Sequence, residues 1–333
     1  MFVSLEDATE VGITALRGMG FSAAEADVTV RHLLDCELRG LSFSGLARIL
    51  SISERLAVKP LGEDGIRITR QTPVSAQLDG GDRLGYVVAE QAVELVMAKA
   101  TEVGVAVVGA NNTWYTGMLS YYAEMITARG LVAMIASNAT PWVAPYGGTE
   151  GRFGTNPFCF GFPAEPNPVI WDIGISEIIH AQAVLARRQG EALPPGVAFD
   201  REGTPTTDPA AALSGAFAAW GGHKGSGLGI SVQLLGMLAG SPVFPGPLED
   251  FGFFVVAMKP DLLTPAEDFA KKISQFSEAV RKTRRAAADV PVRMPFERSA
   301  ARRAERLASG GFDIAPSIYS AVRELSGRGS AGG

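Results

Sequence analysis

A chain of 333 residues, 47% hydrophobic and 20% charged, has enough material for one large buried core or two ordinary ones. Its net charge of −5 comes without a basic stripe, which argues against nucleic acid and against an anionic membrane surface as partners. The two cysteines, Cys36 and Cys159, lie outside any C-x-x-C, so a disulfide framework is excluded and a reducing cytoplasm is expected; three histidines are too few for a His-rich metal centre.

The start, "MFVSLEDATEVGITAL", has no basic n-region and reads as fold rather than leader. No apolar run approaches the roughly 18 residues that a membrane span needs. Ser4–Asp7 and Ser22–Glu25 are capping boxes, each opening a helix, the second running to about Arg39 and stopped by Gly40. "RGLSFSGLARIL" leads into another short helix, and residues 56–74 are mixed, with a strand near "GIRITRQ". Near Gly85 the texture changes. Val88, Ala92, Leu95 and Val96 share a helical face over residues 87–103, with Gly104 as the stop. Then come a strand "VAVVGA", a loop "NNTWYTG", an amphipathic helix "MLSYYAEMITARG" and a strand "LVAMIASN", the rhythm of a mixed α/β domain. Residues 138–160 hold four glycines and three prolines, too irregular for mere connection. "PVIWDIGIS" and "FGFFVVAM" read as buried strands and "DREGTPTTDP" as a turn cluster. Thr264–Glu267 caps a last long helix with Phe269, Ile273, Phe276 and Val280 on one face, and the tail past Gly327 is expected to fray.

Several stretches carry chemistry, each with a plainer alternative. "GGHKGSGLGI" surrounds Lys224 with glycines, Gly225 among them, just before an apolar helix. That arrangement suits a phosphate, or is a turn with a solvated lysine. It has neither P-loop nor Rossmann spacing. "GGTEGRFGTNP" is a ligand loop or an Ω-loop, and Asn156 before Pro157 is expected to be extended. Asp172, at a strand end, either reaches a ligand or caps a turn. By itself His180 reads as a surface residue and His32 as a helix-face residue.

In chain order "NNTWYTG…YY", "ASN", "PYGGTEGRFGTNPFCFGFP", "WDIGIS", "LPPGVAFDREGTPTTDP", "GGHKGSGLGISVQLL" and "RMPFERSAARR" resemble the malate/L-lactate dehydrogenase family. That family also holds sulfolactate and ureidoglycolate dehydrogenases, 2,3-diketogulonate reductase and Δ1-piperideine-2-carboxylate/Δ1-pyrroline-2-carboxylate reductases. The resemblance runs from about Leu5 to Leu325. It implies an α/β fold that is not a Rossmann fold, with a central nicotinamide-binding domain over residues 76–262. An N-terminal helical, dimerising region (1–75) and a C-terminal helical region (263–333) would pack together, and the protein would be a homodimer. It implies hydride transfer between NADPH or NADH and a small carboxylate-bearing substrate. By motif position Ser137, Thr155, Asn156, Asp172, His180, Lys224, Gly225, Pro295, Glu297 and Arg298 would lie on the cofactor or substrate, and Arg48 would hold the substrate carboxylate.

The family pattern N-S-x-H-x-G puts Tyr115 at a histidine, an early S-H-G-like segment puts Ser44 at a second one, and "AQA" at 181–183 replaces the usual G-K. Tyr115, Ser44 and Arg48 are therefore the expected catalytic positions. Ketone reduction needs an acid, and a positioned one contributes roughly 10²–10⁴-fold. An imine is protonated by solvent before hydride arrives, so the changed residues favour a cyclic C=N substrate or an unusual tailoring intermediate. A 2-oxo acid reductase using Tyr115 as its acid, and a redox-inactive relative, are the alternatives.

Overall fold

The computed structural model describes residues 1–329 except Glu63. The chain opens with β1 (Phe2–Ser4), then α1 (Leu5–Gly18), α2 (Ala23–Leu38) and α3 (Ala47–Val58). Both expected caps form: Ser4 accepts from Asp7 N, and Ser22 and Glu25 make the reciprocal pair. Next come β2 (Arg67–Thr72), β3 (Ser75–Leu84), α4 (Gly85–Val103), β4 (Val105–Trp114), α5 (Leu119–Thr127), β5 (Val132–Ser137), β6 (Phe158–Phe162) and β7 (Val169–Ile173). A small lobe follows, with α6 (His180–Gln189), β8 (Ala198–Phe199), α7 (Pro209–Ser214) and β9 (Ala216–Phe217). The chain ends in α8 (His223–Leu238), β10 (Phe253–Met258), α9 (Ala266–Arg281), α10 (Glu297–Ala308), β11 (Gly311–Asp313) and α11 (Pro316–Gly329).

Seven strands form one sheet in the order β2-β3-β4-β10-β5-β6-β7, in which only β3 and β4 run parallel. A sheet with a single parallel pair is not a Rossmann sheet. α4 and α5 pack on one face through Val88, Ala92, Val96, Tyr122 and Ile126; α8 covers the other through Val232. A second core joins the two ends of the chain: Leu16, Leu33, Ile49 and Ile52 pack with Phe312, Ile318 and Val322, and β1 pairs with β11. Among the described residues no helix is long and apolar enough to cross a membrane.

Several local features differ from the sequence reading. "NNTWYTG" is not all loop, because Asn111–Trp114 continue β4 in register with β3. β3, for which the sequence reading gave no strand, runs through Gly80 and Gly81. α9 has Pro265 at its N-cap with no side-chain cap, two helices follow it, and Phe276 on its apolar face is 64% exposed. α11 continues past Gly327 to Gly329, and residues 330–333 lie outside the described residues.

Candidate active site

β4, β5 and β7 carry the chain in one direction and deliver Trp114, Ser137 and Asp172 to the same edge of the sheet. The carboxyl edge of strands is where α/β proteins hold ligands. A cavity of about 250 Å³ opens there, between that edge, the segment 41–48 and the start of α6. Ser44, Arg48, Tyr115, Ser137, Thr155, Asp172 and His180 all line it. Asn156, Lys224, Gly225, Pro295, Glu297 and Arg298 do not.

Arg48 stands in the first turn of α3. Its guanidinium lies 4.5 Å from the centre of the Tyr115 ring. It has no hydrogen bond or ion pair among the described residues, and its Nη1 is buried. The residue as a whole is half-buried, so the cost falls on that one nitrogen, and an anion in the cavity would supply its partner. The segment is fixed from behind: Glu37 accepts a 2.9 Å hydrogen bond from Leu46 N, immediately before α3, and burial pushes that carboxyl up to about 7.

Tyr115 follows the end of β4, where Trp114 is anchored by a 2.9 Å hydrogen bond from its indole to the Asp82 carbonyl. The chain then turns sharply, with Tyr115 at φ 57° and Gly117 at φ 79°. His32, fully buried on α2, holds the turn by accepting from Met118 N at 2.9 Å, and a Cβ at Gly117 would collide with its ring. Burial lowers the His32 imidazole to about 3, against an opposing effect of Asp35. Burial likewise raises the Tyr115 phenol above its ordinary value, opposed by Arg48, and its hydroxyl meets Ser51 on α3.

His180 is not the surface histidine its local sequence indicated. Its ring stacks on Trp142 at 3.9 Å and 17°, and its buried Nδ1 has no partner. Burial first, then Arg48, Arg187 and Arg188, push it down to about 3, so the imidazole is neutral at neutral pH. Asp172 accepts from Ser120 N at 2.7 Å, which places a carboxylate at the start of α5. Burial nonetheless raises its pKa. The Ser137 hydroxyl pairs with Thr116 at 2.8 Å and with the Gly252 carbonyl at 3.0 Å.

The remaining expected residues lie outside the cavity. Asn156 is at φ 35°, not extended: its amide donates to Gly229 O and Gln233 Oε1, and these bonds to α8 override the pre-proline bias. Gly225 packs under the Trp220 carbonyl, which a Cβ would overlap. Lys224 is exposed in the first turn of α8 with no ion pair among the described residues. Glu297 pairs with Arg281 and accepts from Met294 N, while Pro295 and Arg298 are exposed. Reading the sequence missed Thr116, Trp142, Phe251 and His32. Trp142 lay inside the irregular stretch already singled out, whereas His32 acts on a loop 86 residues away and carried no local signal.

The family profile described as malate/L-lactate dehydrogenase matches residues 3–323. L-sulfolactate dehydrogenase of Methanocaldococcus jannaschii is 28% identical over 98% of this chain and 96% of its own. Delta(1)-pyrroline-2-carboxylate reductase 1 of Burkholderia ambifaria is 32% identical over 70% of this chain and 69% of its own. The crystal structure of a dehydrogenase from Sinorhizobium meliloti superposes with a TM-score of 0.90 at 30% identity, covering 98% of both chains.

Proposed function

The chain belongs to the malate/L-lactate dehydrogenase family and is an oxidoreductase that uses NADH or NADPH; within that family we propose that it reduces a cyclic 2-imino acid. The observation that carries this reading is the unpartnered Arg48, set among groups poorly suited to give up a proton. A carboxylate on Arg48 would form charge-assisted hydrogen bonds and give its buried Nη1 a partner. The Tyr115 ring beneath the guanidinium supports it and limits its swing. Tyr115, raised by burial, is a weaker acid than a free phenol, and His180 near 3 carries no proton to spare as a cation. An iminium needs neither: its nitrogen already holds the proton, its carbon accepts the hydride, and a neutral amine results.

The donor set suits a nicotinamide dinucleotide. Ser137, Thr155 and Asp172 would hold the nicotinamide end beside the cavity, where the paired hydroxyls of Thr116 and Ser137 are already ordered. Lys224, exposed at the start of α8 behind the positive-φ pair Gly221–Gly222, would take a phosphate. Asn156, Gly225, Pro295, Glu297 and Arg298 would act by shaping those segments. When bound, the dinucleotide supplies the hydride; the protein binds, orients and keeps water out.

A homodimer fits the exposed apolar stripe of Ile230, Leu234 and Leu238 on α8, with Phe244 beside it, and the uncovered Phe276 on α9. Light scattering at the mass of one chain would contradict it. The substrate reading is tested by kcat/KM for cyclic 2-imino acids against open-chain 2-oxo acids, with each cofactor. The expected preference for the imine is at least about a hundredfold, the low end of what a missing acid costs. Faster reduction of the 2-oxo acids overturns it.

A further inference from the structure

From the charges around the cavity we infer that the substrate carries one negative charge only. This rests on reading the cavity as the substrate site. Among its lining residues Arg48 is the one cation, and no second lysine or arginine reaches the walls. The ring stack of His180 and Trp142 stands on the α6 side, and Phe43 comes from the segment that carries Arg48. Phe251, Met118 and Leu41 continue the apolar surface.

His180 adds no cation of its own, because burial first, then its arginine neighbours, lower it to about 3. Asp172 is the acidic residue of the wall. Ionised, it repels a second anion; protonated, it supplies no charge to balance one. Arg188 is spent on the Ala47 carbonyl, Ser51 and Glu54. Arg187 lines an adjoining cavity that shares Tyr115 and His180 as walls, together with Glu54, Glu249, and Arg55 and Lys59, both of which pair with Asp82. A second carboxylate or sulfonate would therefore meet no second lysine or arginine in the described wall, only neutral donors such as Ser44, Ser137, Asn138 and Thr155, which supply no balancing charge. The inference parts this chain from its relative named for sulfolactate, a compound with two anionic groups.

The test uses two pairs of compounds on the wild-type protein with cofactor bound. One pair is a cyclic 2-imino acid with and without a second ring carboxylate. The other is a 2-oxo acid with an apolar side chain and one with a terminal carboxylate or sulfonate. Within each pair the monoanion should have the higher kcat/KM by roughly a hundredfold, the scale on which a site rejects a group it leaves unpaired. Dissociation constants measured with the oxidised cofactor, by tryptophan fluorescence, give the same comparison without turnover. Turnover of the oxo pair alone removes the imine reading and leaves the charge comparison standing. Dianions bound as tightly as monoanions, or no binding of either monoanion, overturns the inference.

Discussion

Arg39, Arg48 and Arg55 each lay a guanidinium on an aromatic ring, at 4.5 Å from Phe296, 4.5 Å from Tyr115 and 4.3 Å from Trp114. Two of them also meet carboxylates. Arg55 forks onto both oxygens of Asp82 at 2.6 and 2.7 Å, and Arg39 reaches Asp35 and Glu124 at 2.5 Å each, with Arg303 also on Asp35. Arg48 has the ring and no acid. One side-chain type in one kind of setting thus does two jobs. Where protein carboxylates close the cluster, it ties α2 to α5 and α10, or α3 to the end of β3. At Arg48 no protein acid among the described residues closes the guanidinium, and the proposed substrate contact rests on that difference.

The contrast is broken most directly by removing each cation in turn. Arg48→Met should lower kcat/KM by roughly two to four decades, since stripping one partner from a buried charge pair costs about 3–5 kcal/mol. Its unfolding midpoint in urea should hold or rise, because no protein acid is left behind. Arg39→Met should do the reverse. It strands Glu124 and half of Asp35, and should cost about 3 kcal/mol of stability, the low end because Arg303 remains. Its kcat/KM, measured on the folded protein, should move little. Equal stability losses in the two variants would show that Arg48 is structural after all.

How much of this was legible beforehand follows from range. The Ser22–Glu25 box and the Gly104 stop are local hydrogen-bond problems, and both were readable. The family motifs placed seven residues that do line the cavity. β3 was not readable, because its partners β2 and β4 override two mid-strand glycines. Nor was the state of Arg48 or His180. A missing partner is a statement about every surrounding element at once, and burial at position 180 depends on Trp142 stacking from another loop. Gly225 also has a role that its sequence did not show, a close packing contact under the Trp220 carbonyl.

The turn that carries the aromatic shelf of Arg48 can be probed through its prop. His32 is held near 3 against an ordinary value of 6.5, so the native state binds no proton where the unfolded chain does. The stability it contributes is complete above about pH 6.5 and is lost as pH falls towards 3, at roughly 1.4 kcal/mol per unit. His180 acts in the same sense, and Glu37, raised to about 7, in the opposite one, favouring the fold as pH drops from 7 to its unfolded value. Urea unfolding at pH 7 and pH 5 should show His32→Gln losing about 2 kcal/mol less than wild type across that interval. An unchanged pH slope would mean that His32 is not buried as described.

The smallest expected effect bears on what the ring does beneath Arg48. Tyr115→Phe keeps the aromatic face and removes a hydroxyl that meets Ser51. If the ring is a shelf, the loss is one hydrogen bond, about 0.5–1.5 kcal/mol, shared between stability and KM. Tyr115→Ala removes the shelf, frees the guanidinium to swing, and should raise KM for the carboxylate substrate well beyond the Phe variant. If Tyr115 instead supplies the proton, Tyr115→Phe should cost roughly two to four decades in kcat. Burial argues against that outcome. The phenol is pushed above its ordinary pKa despite the neighbouring cation, so at neutral pH it stays protonated but gives the proton up reluctantly. Rates of both variants across pH, on an imine and on a keto acid, separate the roles. A shelf gives parallel pH profiles for wild type and Tyr115→Phe, and an acid gives a collapse of rate in the Phe variant while its fold persists.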